Sequence, residues 1–209
     1  MARIGSDGFF HLWFTALFTA LLAVRVFFHV KARTWRREGV RGEGPVVPIL
    51  RVVVALPLIV VTCVYLFKPG ILRWASFSVP EPWRWIGGFL VTAALGLLVW
   101  IQVELGTNFS GELRIRRDHH LVISGPYRYV RHPMYGTFLL LCAGSLLMTA
   151  NWFFGGIGLV VVLTVMLLRT GREERMLIET FGESYLQYAA RTGRFLPRLR
   201  SKASHPRQA

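Results

Sequence analysis

The feature that most constrains the fold is an apolar stretch of 34 residues, which runs from Tyr135 to Leu168 without a charged side chain. A single helix of that length would be about 50 Å long, whereas the hydrocarbon core of a bilayer is about 30 Å thick. The sequence Thr149-Ala-Asn-Trp152 offers a break, because Asn favours turns. We therefore predict two short helices joined by a tight turn, each of about 16 residues and near the lower limit for spanning a bilayer.

Three further apolar blocks are long enough to cross a membrane, and they cover roughly 9–30, 46–67 and 85–103. Hydrophobic residues make up 53% of the chain, and its mean hydropathy of +0.44 is high for a soluble domain. These patterns predict an all-α integral membrane protein with about five transmembrane helices. The first block leads into a basic stretch, which indicates a retained span rather than a cleaved signal peptide.

The chain is strongly basic, with 25 Lys and Arg against 11 Asp and Glu and a net charge of +14. This excess favours anionic lipids as neighbours. Nucleic acid is disfavoured as a partner, because no nucleic-acid-binding motif is present. Cys63 and Cys142 both lie within apolar blocks, so we predict packing roles for them and neither a disulfide framework nor a metal site.

The distribution of the cations predicts the orientation of the spans. The segments 31–41, 105–133 and the tail from Arg169 carry 5, 5 and 9 Lys or Arg, whereas the N-terminus, 68–84 and 149–152 carry one, three and none. With five spans, all the richly basic segments fall on one face, which is the cytoplasmic one by the positive-inside rule. The N-terminus is then expected outside and the C-terminus in the cytoplasm.

One short segment on that face has the composition of a ligand site. Gly125–Gly136 combines two glycines, two prolines, three tyrosines, two arginines and a histidine in 12 residues. Glycine and proline fix unusual backbone shapes, and Pro133 suits the first turn of a helix. Taken singly, His132 would more often be a satisfied interfacial histidine, and the tyrosines would more often be membrane-belt residues.

The tail beyond the apolar stretch begins with charged residues. Arg169 and Glu173 are four residues apart and share one helix face, an arrangement that suits either a structural ion pair or a functional one. For Arg172, Glu174 and Arg175 we expect structural ion pairs and snorkelling. The segment 173–190 has amphipathic helical spacing with a weak point at Gly182, and 199–209 is a basic tail expected to be disordered.

Together these motifs resemble the isoprenylcysteine carboxyl methyltransferase family and its wider phospholipid methyltransferase-like group. The resemblance is carried by Gly125–Gly136, by Arg-Glu-Glu at 172–174, by Phe-Gly-Glu-Ser-Tyr at 181–185 and by Arg-Phe-Leu-Pro at 194–197. It covers roughly 105–198 and is consistent with a prokaryotic relative. It divides the chain into three transmembrane helices (1–104), a methyltransferase core with a cytoplasmic loop and C-terminal helix (105–198), and the basic tail (199–209).

The resemblance implies S-adenosylmethionine as a methyl donor, bound at the cytoplasmic side without a Rossmann domain. It implies Arg169 as the residue that orients a substrate carboxylate, and Asn108-Phe109 matches an Asn-aromatic pair before the cofactor loop. No metal is expected. The implied cofactor contacts are Arg114, His119, His120, Leu121, Val122, Tyr127, His132, Pro133, Met134, Tyr135 and Glu173.

The resulting expectation is carboxyl O-methylation of a lipophilic, isoprenylcysteine-like acceptor that enters from the bilayer. Two alternatives stay open from the sequence. One is N-methylation of a phospholipid or small amine, with His119, His120 or Glu174 as the required base. The other is a non-catalytic membrane scaffold that keeps the fold.

Overall fold

The protein is described by a computed structural model that covers residues 2–34, 46–106 and 121–198. These ranges contain no β-strand, only two isolated bridges, so the all-α prediction is confirmed for them. Short 3-10 helices cover Pro69–Ala75 and Gly125–Arg128. The α-helices are α1 (Ala2–Thr34), α2 (Val46–Phe67), α3 (Glu81–Leu105), α4 (Pro133–Thr149), α5 (Trp152–Phe181) and α6 (Glu183–Arg191).

Several of these helices have the length and hydropathy of membrane spans, which supports an integral membrane protein. Within the described ranges, α3, α5 and the Ser6–Lys31 part of α1 are long and apolar enough to cross a bilayer. A fourth span is counted if the Leu56–Phe67 part of α2 and the following 3-10 helix, which meet at an angle of 112°, form one unit. Because α4 has only 17 residues, the count of five crossings stays a prediction.

The predicted break in the long apolar stretch is confirmed at Ala150 and Asn151. Ala150 adopts a left-handed conformation with φ of 49° and ends α4. The buried Asn151 side chain accepts a hydrogen bond from the Phe154 N–H at 2.9 Å and donates one to the Leu72 carbonyl at 2.8 Å. This residue therefore caps α5 and also ties the turn to the neighbouring 3-10 helix.

The predicted length of the second hairpin helix was wrong, because α5 has 30 residues rather than about 16. It continues without a break through Arg169 and Glu173, since nothing between 168 and 181 prevents helical hydrogen bonding. The weak point predicted at Gly182 is confirmed, with φ of 52° and ψ of −127°, a conformation that favours glycine. The predicted amphipathic helix over 173–190 is consequently divided between the end of α5 and α6.

Helices α3 and α4 pack closely against each other. A Cβ on Gly87 would lie 2.7 Å from the Gly144 carbonyl oxygen, so the helix backbones touch at these small residues. The helices run antiparallel, which brings the end of α3 beside the start of α4 and the preceding loop. Gly125 marks this contact, because its φ is 54° and an added Cβ would meet the Glu104 side chain at 2.8 Å.

Candidate active site

The Gly125–Gly136 segment folds into a 3-10 turn followed by the start of α4. Residues 125–128 form the turn, and Pro133 is the first residue of α4 with His132 as its N-cap. The prediction that Pro133 starts a helix is therefore confirmed. Leu121 and Val122 precede the turn in irregular, partly buried backbone. Arg114, His119, His120 and the Asn108-Phe109 pair lie outside the described residues.

Glu174 of α5 is the centre of a charged network that joins three parts of the chain. Its Oε1 accepts hydrogen bonds from Arg131 Nε at 3.1 Å and from His132 Nε2 at 3.2 Å. Its Oε2 lies 2.8 Å from Arg194 Nη2. The expected structural ion pairing of Glu174 is confirmed, and both of its carboxylate oxygens are engaged.

The segment Thr192–Phe195, which we call the C-terminal strap, is bound through its backbone to the Gly125–Gly136 segment, which we call the 125–136 loop. The Arg131 N–H donates to the Gly193 carbonyl at 2.8 Å, and the His132 N–H donates to the Arg194 carbonyl at 3.1 Å. Arg131 Nη1 also donates to the carbonyls of Ala189 and Thr192 at 2.8 and 2.9 Å. Arg131 therefore holds α6 and the strap against the loop.

Glu173 faces a different group from Glu174, although the two are neighbours on α5. Its Oε2 accepts a long hydrogen bond of 3.5 Å from the Tyr135 hydroxyl and lies 3.8 Å from His132 Nδ1. The Glu173 side chain remains 32% exposed, against 18% for Glu174. Glu173 is thus the more accessible carboxylate, with unused capacity to accept hydrogen bonds.

Aromatic rings lie around the two residues that contact Glu173, which are His132 and Tyr135. The Phe195 ring of the strap lies 5.9 Å from the His132 ring and 6.2 Å from the Tyr135 ring, centre to centre. The Tyr127 backbone is held by a hydrogen bond, since the Tyr188 hydroxyl donates to the Tyr127 carbonyl at 2.7 Å. Burial raises the pKa of the Tyr127 phenol, and the nearby Glu173 and Tyr188 raise it further, so it stays protonated.

His132 is a neutral hydrogen-bonding group at physiological pH. Burial lowers its pKa below the ordinary 6.5, outweighing the two glutamates that favour the charged ring. Because a carboxylate only accepts, the neutral ring carries its proton on Nε2 and donates it to Glu174. Nδ1 is then an acceptor on the Glu173 side.

Arg169 lies one turn before Glu173 on α5, as the spacing predicts, and its side chain is half-buried. Its guanidinium is an electrostatic neighbour of the Tyr135 hydroxyl. Met134, which precedes Tyr135 in the sequence, is partly exposed, whereas Pro133 is buried. The fold therefore brings together Tyr127, His132, Tyr135 and Glu173, four of the expected cofactor contacts. Sequence reasoning missed the roles of Arg131 and Phe195. For Phe195, the match of Arg-Phe-Leu-Pro at 194–197 was the available signal.

Comparison with known proteins shows similarity to one methyltransferase family and to a bacterial methyltransferase. The model of the isoprenylcysteine carboxyl methyltransferase (ICMT) family matches residues 86–179. The protein-S-isoprenylcysteine O-methyltransferase of Schizosaccharomyces pombe is 32% identical over 135 residues, which is 60% of this chain and 56% of that protein. The methanethiol S-methyltransferase of Pseudomonas deceptionensis is 28% identical over 201 residues, covering 90% of this chain and 75% of that one.

A solved structure of the eukaryotic intramembrane Ras methyltransferase ICMT has a similar fold. The TM-score is 0.53 at 20% sequence identity, over 87% of this chain and 66% of that one. The matches to the first isoprenylcysteine methyltransferases span 56% and 60% of their length, so this chain corresponds to a little over half of those proteins. The family match includes most of α3, all of α4 and nearly all of α5, and therefore most of the site. The resemblance seen in the sequence is thus confirmed: the chain is similar to the isoprenylcysteine carboxyl methyltransferase family over residues 86–179.

Proposed function

We propose that this protein is a membrane methyltransferase that uses S-adenosylmethionine to methylate a carboxylate on a lipophilic acceptor. The observation that carries the proposal is the position of Glu173. Its accessible carboxylate lies beside Tyr135 and His132, one helical turn from Arg169. This arrangement supports the proposal, because Glu173 would contact the donor and Arg169 the acceptor from one face of α5.

The described side chains fit the chemistry of S-adenosylmethionine. Its α-ammonium group suits the free acceptor capacity of Glu173, as a charge-assisted hydrogen bond. The neutral His132 offers Nδ1 as an acceptor for a polar hydrogen of the ligand, and the tyrosine faces suit a cation. When bound, the donor supplies a methyl group on a sulfonium, so that the new O–CH3 bond forms as the S–CH3 bond breaks and its electron pair stays on sulfur.

The acceptor side is supported by Arg169 and its surroundings. An arginine can hold a carboxylate by two parallel hydrogen bonds and so orient it for in-line attack. A carboxylate is already ionised at neutral pH, so no general base is needed. Leu168, which directly precedes Arg169 on α5, is 49% exposed on a helix with the hydropathy of a membrane span. A lipophilic acceptor would therefore reach Arg169 from the bilayer.

Two other acceptors are distinguished by their chemistry. S-methylation of a small thiol is the second candidate, because the methanethiol S-methyltransferase aligns with 90% of this chain. Amine methylation requires a base to give a neutral amine. Glu174 does not suit that role, since Arg131, His132 and Arg194 engage both of its oxygens.

The test is methyl transfer by the purified protein in lipid nanodiscs with radiolabelled S-adenosylmethionine. The acceptors are a prenylated cysteine analogue, an ethanolamine lipid and methanethiol. We expect label in a base-labile methyl ester of the cysteine analogue. Label found only in the amine or only in the thiol would contradict carboxyl methylation. Folded protein that binds no S-adenosylhomocysteine by calorimetry would instead support a non-catalytic scaffold.

Variants of two arginines on α5 distinguish a specific loss of acceptor binding from the general effect of removing a positive charge. Arg169→Ala should raise KM for the carboxylate acceptor at least tenfold while the affinity for S-adenosylhomocysteine changes little. Arg172→Ala is the matched control, because Arg172 is exposed and three residues along the same helix. Equal effects of the two substitutions on KM would contradict the role given to Arg169.

A further inference from the structure

The C-terminal strap brings an aromatic side chain to the site from beyond residues 86–179, which the family model matches. The match ends at residue 179, whereas the strap covers Thr192–Phe195. Its backbone is fixed by hydrogen bonds to Arg131 and His132, and Arg194 pairs with Glu174. The position of Phe195 is therefore set by the same loop and helix that carry the proposed donor contacts.

The rings of Phe195 and Tyr135 form a corner beside Glu173. Their planes are 74° apart and their centres 6.2 Å apart, so the edge of one ring meets the face of the other. The Tyr135 hydroxyl also reaches Glu173, which places the carboxylate at the edge of this corner. Phe195 is only partly buried, unlike the core phenylalanines Phe10 and Phe14.

This corner has the properties of a site for an organic cation. Aromatic faces attract cations within about 6 Å of the ring centre, and the attraction is larger where water is excluded. The Arg194 guanidinium carbon lies 5.7 Å from the Phe195 ring centre, and the Glu174 carboxylate balances its charge. The Glu173 carboxylate at the edge of the corner adds a negative charge, so a positively charged ligand group is favoured beside Phe195.

We propose that Phe195 contacts the sulfonium of the methyl donor, so that the strap favours the charged donor over its neutral sulfide product. The inference rests on the proposed function, since it specifies the ligand of the same site. The donor and S-adenosylhomocysteine share the adenosine and amino acid groups and differ at the sulfur. A contact to the sulfonium therefore changes the ratio of the two affinities, whereas general packing changes both affinities together.

Calorimetry on the full chain in nanodiscs tests this, with S-adenosylmethionine and S-adenosylhomocysteine titrated separately. Phe195→Leu should weaken donor binding by about 3- to 10-fold and leave the product within twofold of wild type. Phe195→Trp keeps an aromatic face and should preserve or increase the preference for the donor. Leu196→Ala is the matched control, because this strap neighbour is 79% exposed, and it should change neither affinity.

The ratio is measured within each variant, so a partial loss of folded protein affects both ligands alike. Equal weakening of both ligands by Phe195→Leu, or a lowered preference in Phe195→Trp, would overturn the inference while leaving the proposed function intact. Failure of both ligands to bind wild-type protein would overturn the proposed function and the inference together.

Discussion

The neighbouring glutamates of α5 should have separable roles, one in ligand binding and one in stability. Glu173 and Glu174 differ by about 100° around the helix axis. Glu173 makes one long hydrogen bond, to Tyr135, and is 32% exposed. Glu174 is 18% exposed and pairs with Arg131, His132 and Arg194. Substituting each by glutamine removes one charge with almost no change in volume.

Glu173→Gln should weaken S-adenosylhomocysteine binding by about 10- to 30-fold. A hydrogen bond to a charged group contributes about 1.5–3 kcal/mol, and the partial exposure of Glu173 argues for the lower part of that range. The apparent unfolding temperature should change by less than about 2 °C, because the Glu173 contacts with Tyr135 at 3.5 Å and His132 at 3.8 Å are both long and therefore weak.

Glu174→Gln should lower the apparent unfolding temperature by about 5–10 °C. Breaking a buried ion pair costs about 3–5 kcal/mol and an exposed one under about 1 kcal/mol, so this intermediate site corresponds to about 2–3 kcal/mol. Calorimetry and thermal unfolding in the same detergent measure both variants. Glu173→Gln losing stability with intact binding, or Glu174→Gln weakening binding with intact stability, would refute these roles.

Three further predictions concern the fold and its pH dependence. Asn151→Ala should lower the free energy of unfolding by about 1–3 kcal/mol, because the α5 cap and the bond to Leu72 are both lost; a change below about 0.5 kcal/mol would contradict that role. Gln102→Met should raise the unfolding temperature, since the Gln102 amide is fully buried without a hydrogen-bond partner in the described part of the chain; a fall would contradict this. Burial holds the pKa of His132 below 6.5 in the folded protein, so the unfolded chain binds this proton more readily. The free energy of unfolding should therefore fall as pH drops through about 6.5. His132→Gln should flatten that part of the plot of stability against pH.

Local chemistry explains which parts of the fold were predictable. The hairpin break followed from helix length and the turn preference of Asn151, and both act within a few residues. The shared face of Arg169 and Glu173 followed from helical periodicity. The continuation of α5 to Phe181 was missed, because the change from apolar to charged residues at Arg169 was interpreted as a boundary. A change in polarity alone does not interrupt helical hydrogen bonding.

The connection between the loop and the strap could not be predicted from local patterns. Its backbone bonds join Arg131 to Gly193 and His132 to Arg194, about 60 residues apart in sequence. Such bonds require no particular side chain at either end, so neither segment carries a signal for the other. Arg131 and Phe195 owe their places in the site to this long-range pairing.

An experimental structure of the protein in lipid with S-adenosylhomocysteine tests the central claim most directly. The ligand should lie between the 125–136 loop and α5, with its ammonium nitrogen within about 3.2 Å of a Glu173 carboxylate oxygen. Its sulfur should face the corner formed by Tyr135 and Phe195. A ligand bound away from both Glu173 and Tyr135 would contradict the claim that these elements form the methyl-donor site.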